Sequence, residues 1–400
     1  MKHPSKNQLV KGIDGIDRRD ALLFTALASA LALAGCGGGS DGSSTVAGVT
    51  SGGTGSFSTG AITGFGSIIV GAIRFDDAKA SSILDIDDDN TDLRGQLKLG
   101  MVVRVKGKPK VGSSADAETI EVRSELLGPV DSIDAGARTL VVLGQTVVVT
   151  PTTFFEESLS LPTLRASELV EVHGFVNPAT NVMTATRIER KTLANVKAFK
   201  LQGNIRALNA TTFQIGDLVI SFASVVPTSL TLTNGLLVRV RLEPTLGTGV
   251  RKAVKIRAVE LEVQDRDEAE VEGTITAFTS SRQFSVNGLA VDASGATVPP
   301  SLKFGDRVEV EGTLVKGVLV AKKVALENEN DPLKFELHGT VGSLDRTAKT
   351  FVLRGVTVDF SAAQFSNGPP TNLGDGVRVE VKGVVSAGGT QVKATRISFE

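Results

Sequence analysis

Four hundred residues exceed what one hydrophobic core sustains, since cores stop growing near ~250–300 residues, so several folding units are required. At 41% hydrophobic and 22% charged the chain can bury cores, and 18 Phe with no Trp or Tyr favours packing over recognition surfaces, where Tyr and Trp are enriched. A formal charge of −1, about −3 once residues 1–35 are removed, argues against general nucleic-acid binding, which draws its affinity from a basic excess.

The chain opens with a polar segment of basic excess (1–20) and an apolar run, ALLFTALASALALA (21–34). That run is shorter than the roughly 20 residues a spanning helix needs and suits an export signal. It closes on Leu33-Ala34-Gly35-Cys36, which resembles the bacterial lipobox, so residues 1–36 are expected to be a lipoprotein signal peptide with Cys36 as the lipid acceptor. Cys36 is the chain's one cysteine, which excludes an internal disulfide. Arg18-Arg19 ahead of the apolar run leaves twin-arginine and general secretory export both open. Residues 37–58, GGGSDGSSTVAGVTSGGTGSFS, are expected to form a flexible tether reaching on the order of 25 Å. Gly37 stands where an inner-membrane retention signal would place Asp, which tilts the expected site toward the outer membrane without excluding the inner one.

From there one phrase returns five times: a Gly opening a strand, a hairpin Gly, a valine strand, and a closing apolar strand. The opening glycines are Gly60, Gly128, Gly203, Gly273 and Gly339, and the hairpin glycines Gly71, Gly144, Gly216, Gly288 and Gly355. Val103-Arg-Val105-Lys-Gly107 recurs as Val170-Glu-Val172-His-Gly174, Val238-Arg-Val240-Arg-Leu242, Val308-Glu-Val310-Glu-Gly312 and Val379-Glu-Val381-Lys-Gly383. Alternation of valine and charge predicts a strand with one buried and one wet face. Ile120, Ile188, Ile256, Val324 and Ile397 mark the closing strands, and Phe213, Phe284 and Phe351 are expected core. Asn287-Gly288 and Arg354-Gly355 suit type I′ turns, whereas Gly71-Ala72, Gly144-Gln145 and Gly216-Asp217 suit type II′. The expected repeats are 59–125, 126–195, 196–263, 264–334 and 335–400. Each has five strands and a longer polar connection between the third and fourth. That plan predicts an all-β chain of tandem small OB-like barrels, with an array of small β-sandwiches as the alternative.

The phrase Gly64-Phe65-Gly66-Ser67-Ile68-Ile69-Val70, with Ile73-Arg74-Phe75 and 97–107 (LKLGMVVRVKG), resembles the bacterial domain-of-unknown-function family 5666, found in tandem in lipoproteins. Repeat one carries the resemblance best, repeats two, four and five moderately, and repeat three poorly. Its Leu242-Glu243-Pro244 replaces the usual Gly and puts its last hairpin in doubt. The resemblance implies an architecture and no chemistry.

No residue is expected to be catalytic, to hold a cofactor or to bind a metal. His173 sits in a slot that other copies fill with charge and is expected on the surface, as is His338; the parts of a zinc site or a Ser-His triad are not assembled. The run 85–92 (DIDDDNTD) begins like an EF-hand loop but has Asn90 where the turn Gly belongs and Gln96 where a bidentate Glu belongs, so a polar connection is favoured over calcium-assisted adhesion. Repeat three carries nine Lys and Arg against four Asp and Glu, a face that suits an acidic polymer. The expected role is therefore a non-enzymatic cell-envelope lipoprotein, a scaffold or binding module for a protein or polysaccharide partner. Acidic-polymer or nucleic-acid binding through repeat three is the alternative.

Overall fold

The computed structural model describes residues 55–86, 90–225, 230–247, 249–259, 263–328, 334–386 and 388–400. The leader, Cys36 and most of the tether lie outside the described residues. Apart from short 3-10 turns, the regular secondary structure among the described residues is strand.

Each repeat closes into a barrel. In the fourth, Arg266–Ser280 pairs antiparallel with Gln283–Val286, which pairs with Leu289–Asp292. Leu289–Asp292 runs parallel to Val318–Leu326, which returns antiparallel along Arg307–Val315 to the opening strand. The circuit 1-2-3-5-4-1, with its one parallel step between third and fifth strands, is that of an OB barrel and not of two facing sheets. Repeats one, two and five complete the same circuit. Repeat three does so with its first two strands joined only by the bridge between Arg206 and Gln214.

Alternating valines and isoleucines fill the barrels as their spacing requires: Val105, Val172, Val240, Val310 and Val381 are all buried, with Ile120, Ile188 and Ile397 fully enclosed. The polar connection between third and fourth strands also contributes, lowering Leu99, Leu164, Leu302 and Leu373 onto the cores. The glycine that follows the valines has a steric cause. A Cβ on Gly174 would lie 2.1 Å from the Thr184 carbonyl oxygen, at a bulge where the closing strand crosses over the fourth.

Three expectations need correction. Strand structure begins at Ser56, so the last residues assigned to the tether belong to the first barrel, and Phe57 is buried. The second repeat's hairpin turns on Leu143-Gly144 and not on Gly144-Gln145: both have positive φ (50° and 69°), as type I′ requires, and Gln145 already pairs with Val142. Leu143 tolerates that backbone because its side chain packs against the opening Gly128, where a Cβ would meet it at 2.4 Å. Repeat three, despite Leu242, keeps both its closing pairing and its bulge at Arg241/Leu242.

The barrels are interlocked. The first strand, Ser56–Phe65, pairs within its own barrel, then parallel with Glu268, Ala269, Glu270 and Val271 of repeat four and with Glu336 and Leu337 of repeat five. Repeats two and three join through Leu126 and Leu127 against Leu201 and Lys200. Apolar packing follows the same partnership: one core combines repeats one and five, a second combines two and three, and repeat four keeps its own with Phe57 added.

Candidate functional site

The valine strand and closing strand of repeat two set opposite each other Glu171 and Glu189, and His173 and Arg187. Two carboxylates facing across a ladder repel unless a cation bridges them. Lys191 Nζ does so, 2.7 Å from an oxygen of each. Arg187 Nε donates to Glu189 at 2.5 Å, and its Nη1 to the Leu99 carbonyl of repeat one at 3.0 Å. From repeat three, Lys200 Nζ reaches Asp85 of repeat one at 2.6 Å and Glu171 at 3.4 Å. One buried network of charges therefore locks three barrels together.

Burial alone would raise the Glu171 carboxyl, but Lys200 and Lys191 outweigh it and hold it well below the carboxylate range. Burial likewise opposes ionisation of Glu189, and Arg187 and Lys191 pull it down to about 2. Both are thus anions at neutral pH. His173, expected on the surface, is 1% exposed, a correction whose cause is the neighbouring barrel that covers its slot. Burial pushes its imidazole below the ordinary value against the pull of Glu171 and Glu189, so the ring is neutral. Nδ1 then donates to the Arg123 carbonyl oxygen at 2.9 Å, which leaves Nε2 as a lone-pair acceptor, and Nε2 has no partner among the described residues.

Beside this network lies a cavity of about 460 Å³ where repeats one, two and five meet. Leu99, Phe154, Glu171, His173 and Arg187 lie deep in its lining, and exposed Gln96, Lys98, Glu157 and Arg354 border it. Phe154 stands edge-on to Phe335 of repeat five at 5.4 Å, and Phe155 N donates to the Gly389 carbonyl, so the third wall is fixed by packing and backbone.

His338 is clamped rather than free, its Nδ1 2.5 Å from Glu400 and its Nε2 2.9 Å from Glu336. Glu336, His338 and Glu380 could together offer three ligand atoms to a cation, but Arg74 and Lys382 already occupy Glu336 and Lys382 also holds Glu380. Asp85, first of the calcium-like run, is spent on Lys200, and Asp87, Asp88 and Asp89 lie outside the described residues. The basic excess of repeat three is partly turned inward, through Lys200 and through Arg239 on Glu125 at 2.7 Å. Sequence reasoning missed Glu171, Arg187, Glu189 and Lys191, because outward charges on a half-wet strand look the same whether water or another barrel faces them.

The closed circuit and its recurrence define a tandem OB-like β-barrel protein. More particularly, three of its repeats match the model of the family described as Domain of unknown function (DUF5666), over residues 128–189, 272–325 and 338–398. These are repeats two, four and five. Repeat one, whose phrase carried the resemblance most clearly, is not among the matched segments, although its barrel is complete. Among solved structures, Drosophila Unr CSD456 is similar at 17% identity over 52% of this chain and 98% of that chain, with a TM-score of 0.14, too low to carry an argument. No curated protein matches the chain.

Proposed function

We propose that the chain is a non-enzymatic lipoprotein of the bacterial cell envelope, held to a membrane by Cys36, whose five barrels form one binding body for a protein or polysaccharide partner. The observation that carries the reading is the interlocking. Barrels that served as flexible spacers would gain nothing from Lys200, Arg187 and Asn177 being committed to neighbours, and Asn177 donates to the Gly305 carbonyl of repeat four at 2.8 Å. A rigid body with a recess at the meeting of three barrels suits holding a partner. The non-enzymatic part is supported by His338, both of whose ring nitrogens are held by carboxylates.

The anchor rests on the apolar run 21–34 and its ending at Cys36. Cys36→Ser is expected to shift the protein from the membrane pellet to the soluble fraction; a variant that still pellets after a carbonate wash contradicts the lipid anchor. The acidic-polymer alternative is weakened by the inward turn of Lys200 and Arg239. Retention on heparin at low salt, lost steeply as salt rises, would put it first.

A further inference from the structure

A hairpin joins the fourth and fifth strands of every barrel, and the turns of these hairpins meet different surroundings. At the turn of repeat two, Asn177 donates to the Gly305 carbonyl of repeat four, and at that of repeat five the Gly389 carbonyl accepts from Phe155 of repeat two. In repeat one Val111 is exposed, but Lys108 and Lys110 beside it are paired with Asp116 and Glu268. Repeat three is built otherwise. Three of the nine exposed large apolar side chains among the described residues fall in its hairpin: Leu246 at 54%, Val250 at 58% and Val254 at 47%. The turn that presents them is pinned, because the buried Arg251 donates to the Thr245 and Gly247 carbonyl oxygens.

The same arm is basic. Lys252 and Val254 alternate with the buried Arg251 and Ala253 and so share the outward side. Lys252 is well exposed and touched by Glu243 at 3.5 Å, and Lys255 and Arg257 hold no carboxylate among the described residues. Across the ladder Lys255 faces Arg241 and Arg257 faces Arg239, like charges that repel one another, and Glu125 answers Arg239. A soluble acidic polymer would satisfy these cations and leave three aliphatic side chains in water. An anionic bilayer satisfies both, since apolar tips enter the acyl boundary while long cationic side chains keep their heads among lipid phosphates.

We propose that the repeat-three hairpin is a membrane-contact element, docking on an anionic phospholipid surface through Leu246, Val250 and Val254, with Lys252, Lys255 and Arg257 on the phosphates. This rests on the reading of the chain as membrane-anchored and adds a second attachment, which fixes one face of the body toward the bilayer.

The chain has no tryptophan, so Val250→Trp supplies a single fluorescent reporter in the full chain. In vesicles of phosphatidylcholine and phosphatidylglycerol in equal parts, brominated acyl chains are expected to quench its emission roughly twofold, with a blue shift. In phosphatidylcholine alone the quenching is expected to fall by more than about half, as the surface field is lost. Val320→Trp, at an exposed valine of repeat four, is expected to stay unquenched in both. Lys255→Glu added to Val250→Trp is expected to remove most of the quenching with an unchanged urea midpoint. Should Val250→Trp disturb the fold, Leu246→Trp is expected to quench alike. Unmoved emission in a chain that pellets with anionic vesicles overturns the contact and leaves the lipid anchor standing. Quenching in vesicles from which carbonate extracts the chain supports the contact and contradicts the anchor. Equal quenching of Val250→Trp and Val320→Trp overturns the proposal, because no one face would then meet the bilayer. A shift of Val250→Trp emission with heparin and none with vesicles overturns it in favour of an acidic polymer.

Discussion

Repeats three and four share a strand plan and differ in self-sufficiency. Repeat four matches the family model, turns its hairpin on Asn287 and Gly288 with φ of 48° and 84°, and encloses a core drawn from its own residues plus Phe57. Repeat three lies outside the matched segments, joins its first two strands by a single bridge, and buries Phe199, Phe213 and Val240 in one core with repeat two. Where a neighbour supplies apolar cover and ion-pair partners, local signals such as the glycine after the valines can be lost without loss of the barrel. Repeat four, whose core is drawn almost wholly from its own residues, keeps them.

The largest effect expected from this contrast is all or none. Residues 264–334 alone should express in soluble form and melt cooperatively with β circular dichroism, whereas 196–263 alone should not give a cooperative melt, and 126–263 together should. A cooperative melt from 196–263 alone would break the comparison. Next in size is the charge network. Lys200→Met leaves Glu171 and Asp85 with less compensation in a dry junction and should cost about 3 kcal/mol, read as a lowered urea midpoint. Lys382→Met, on the valine strand of repeat five in the slot that His173 fills in repeat two, but half exposed at 51%, should change the midpoint by less than about 0.5 kcal/mol. Equal effects from the two would mean that the junction of repeats one, two and three is solvated in solution.

Much of the barrel was legible because its causes are local. Period-two valines place Val172 and Val381 inside, and glycines that must clear a crossing carbonyl recur at a fixed place. The Leu143-Gly144 turn was misread by one residue because a leucine at positive φ is unfavourable in isolation and is tolerated only against Gly128, which the sequence places fifteen positions away. The candidate site was legible in its members' types and not in their environment. Glu171, His173 and Lys200 occupy slots that spacing alone assigns to water, and what buries them is the docking of barrels whose partners are distant along the chain. Only two hints were in the sequence: a histidine where other copies carry charge, and a basic excess confined to repeat three, whose Lys200 reaches into repeats one and two.

The smallest expected effect sharpens the same comparison from the side of repeat four, whose junction with repeat one adds carboxylates that accept from backbone N–H groups to ion pairs such as Lys110–Glu268. Glu272 accepts from Ala61 N at 3.2 Å and pairs with Arg307, and Glu270 accepts from Ala72 N at 2.8 Å. Glu309, close by, is raised to about 8 by its hydrogen bond with Glu270, by burial and by the neighbouring carboxylates. A carboxyl whose folded value lies above its unfolded one near 4.5 holds a proton in the fold that the open chain releases. Its contribution to stability is therefore full below about 4.5 and declines as pH rises toward about 8. Glu189 in repeat two runs the other way: its folded value of about 2 gives stability present above about 4.5 and lost as pH falls toward 2. Glu309→Gln, which keeps a donor for Glu270 at every pH, should flatten the decline of melting temperature between pH 5 and 8 by a few degrees and leave the acid limb unchanged, as read by scanning calorimetry across about that range. A decline that survives the substitution undiminished would show that Glu309 and Glu270 do not share a proton in the fold.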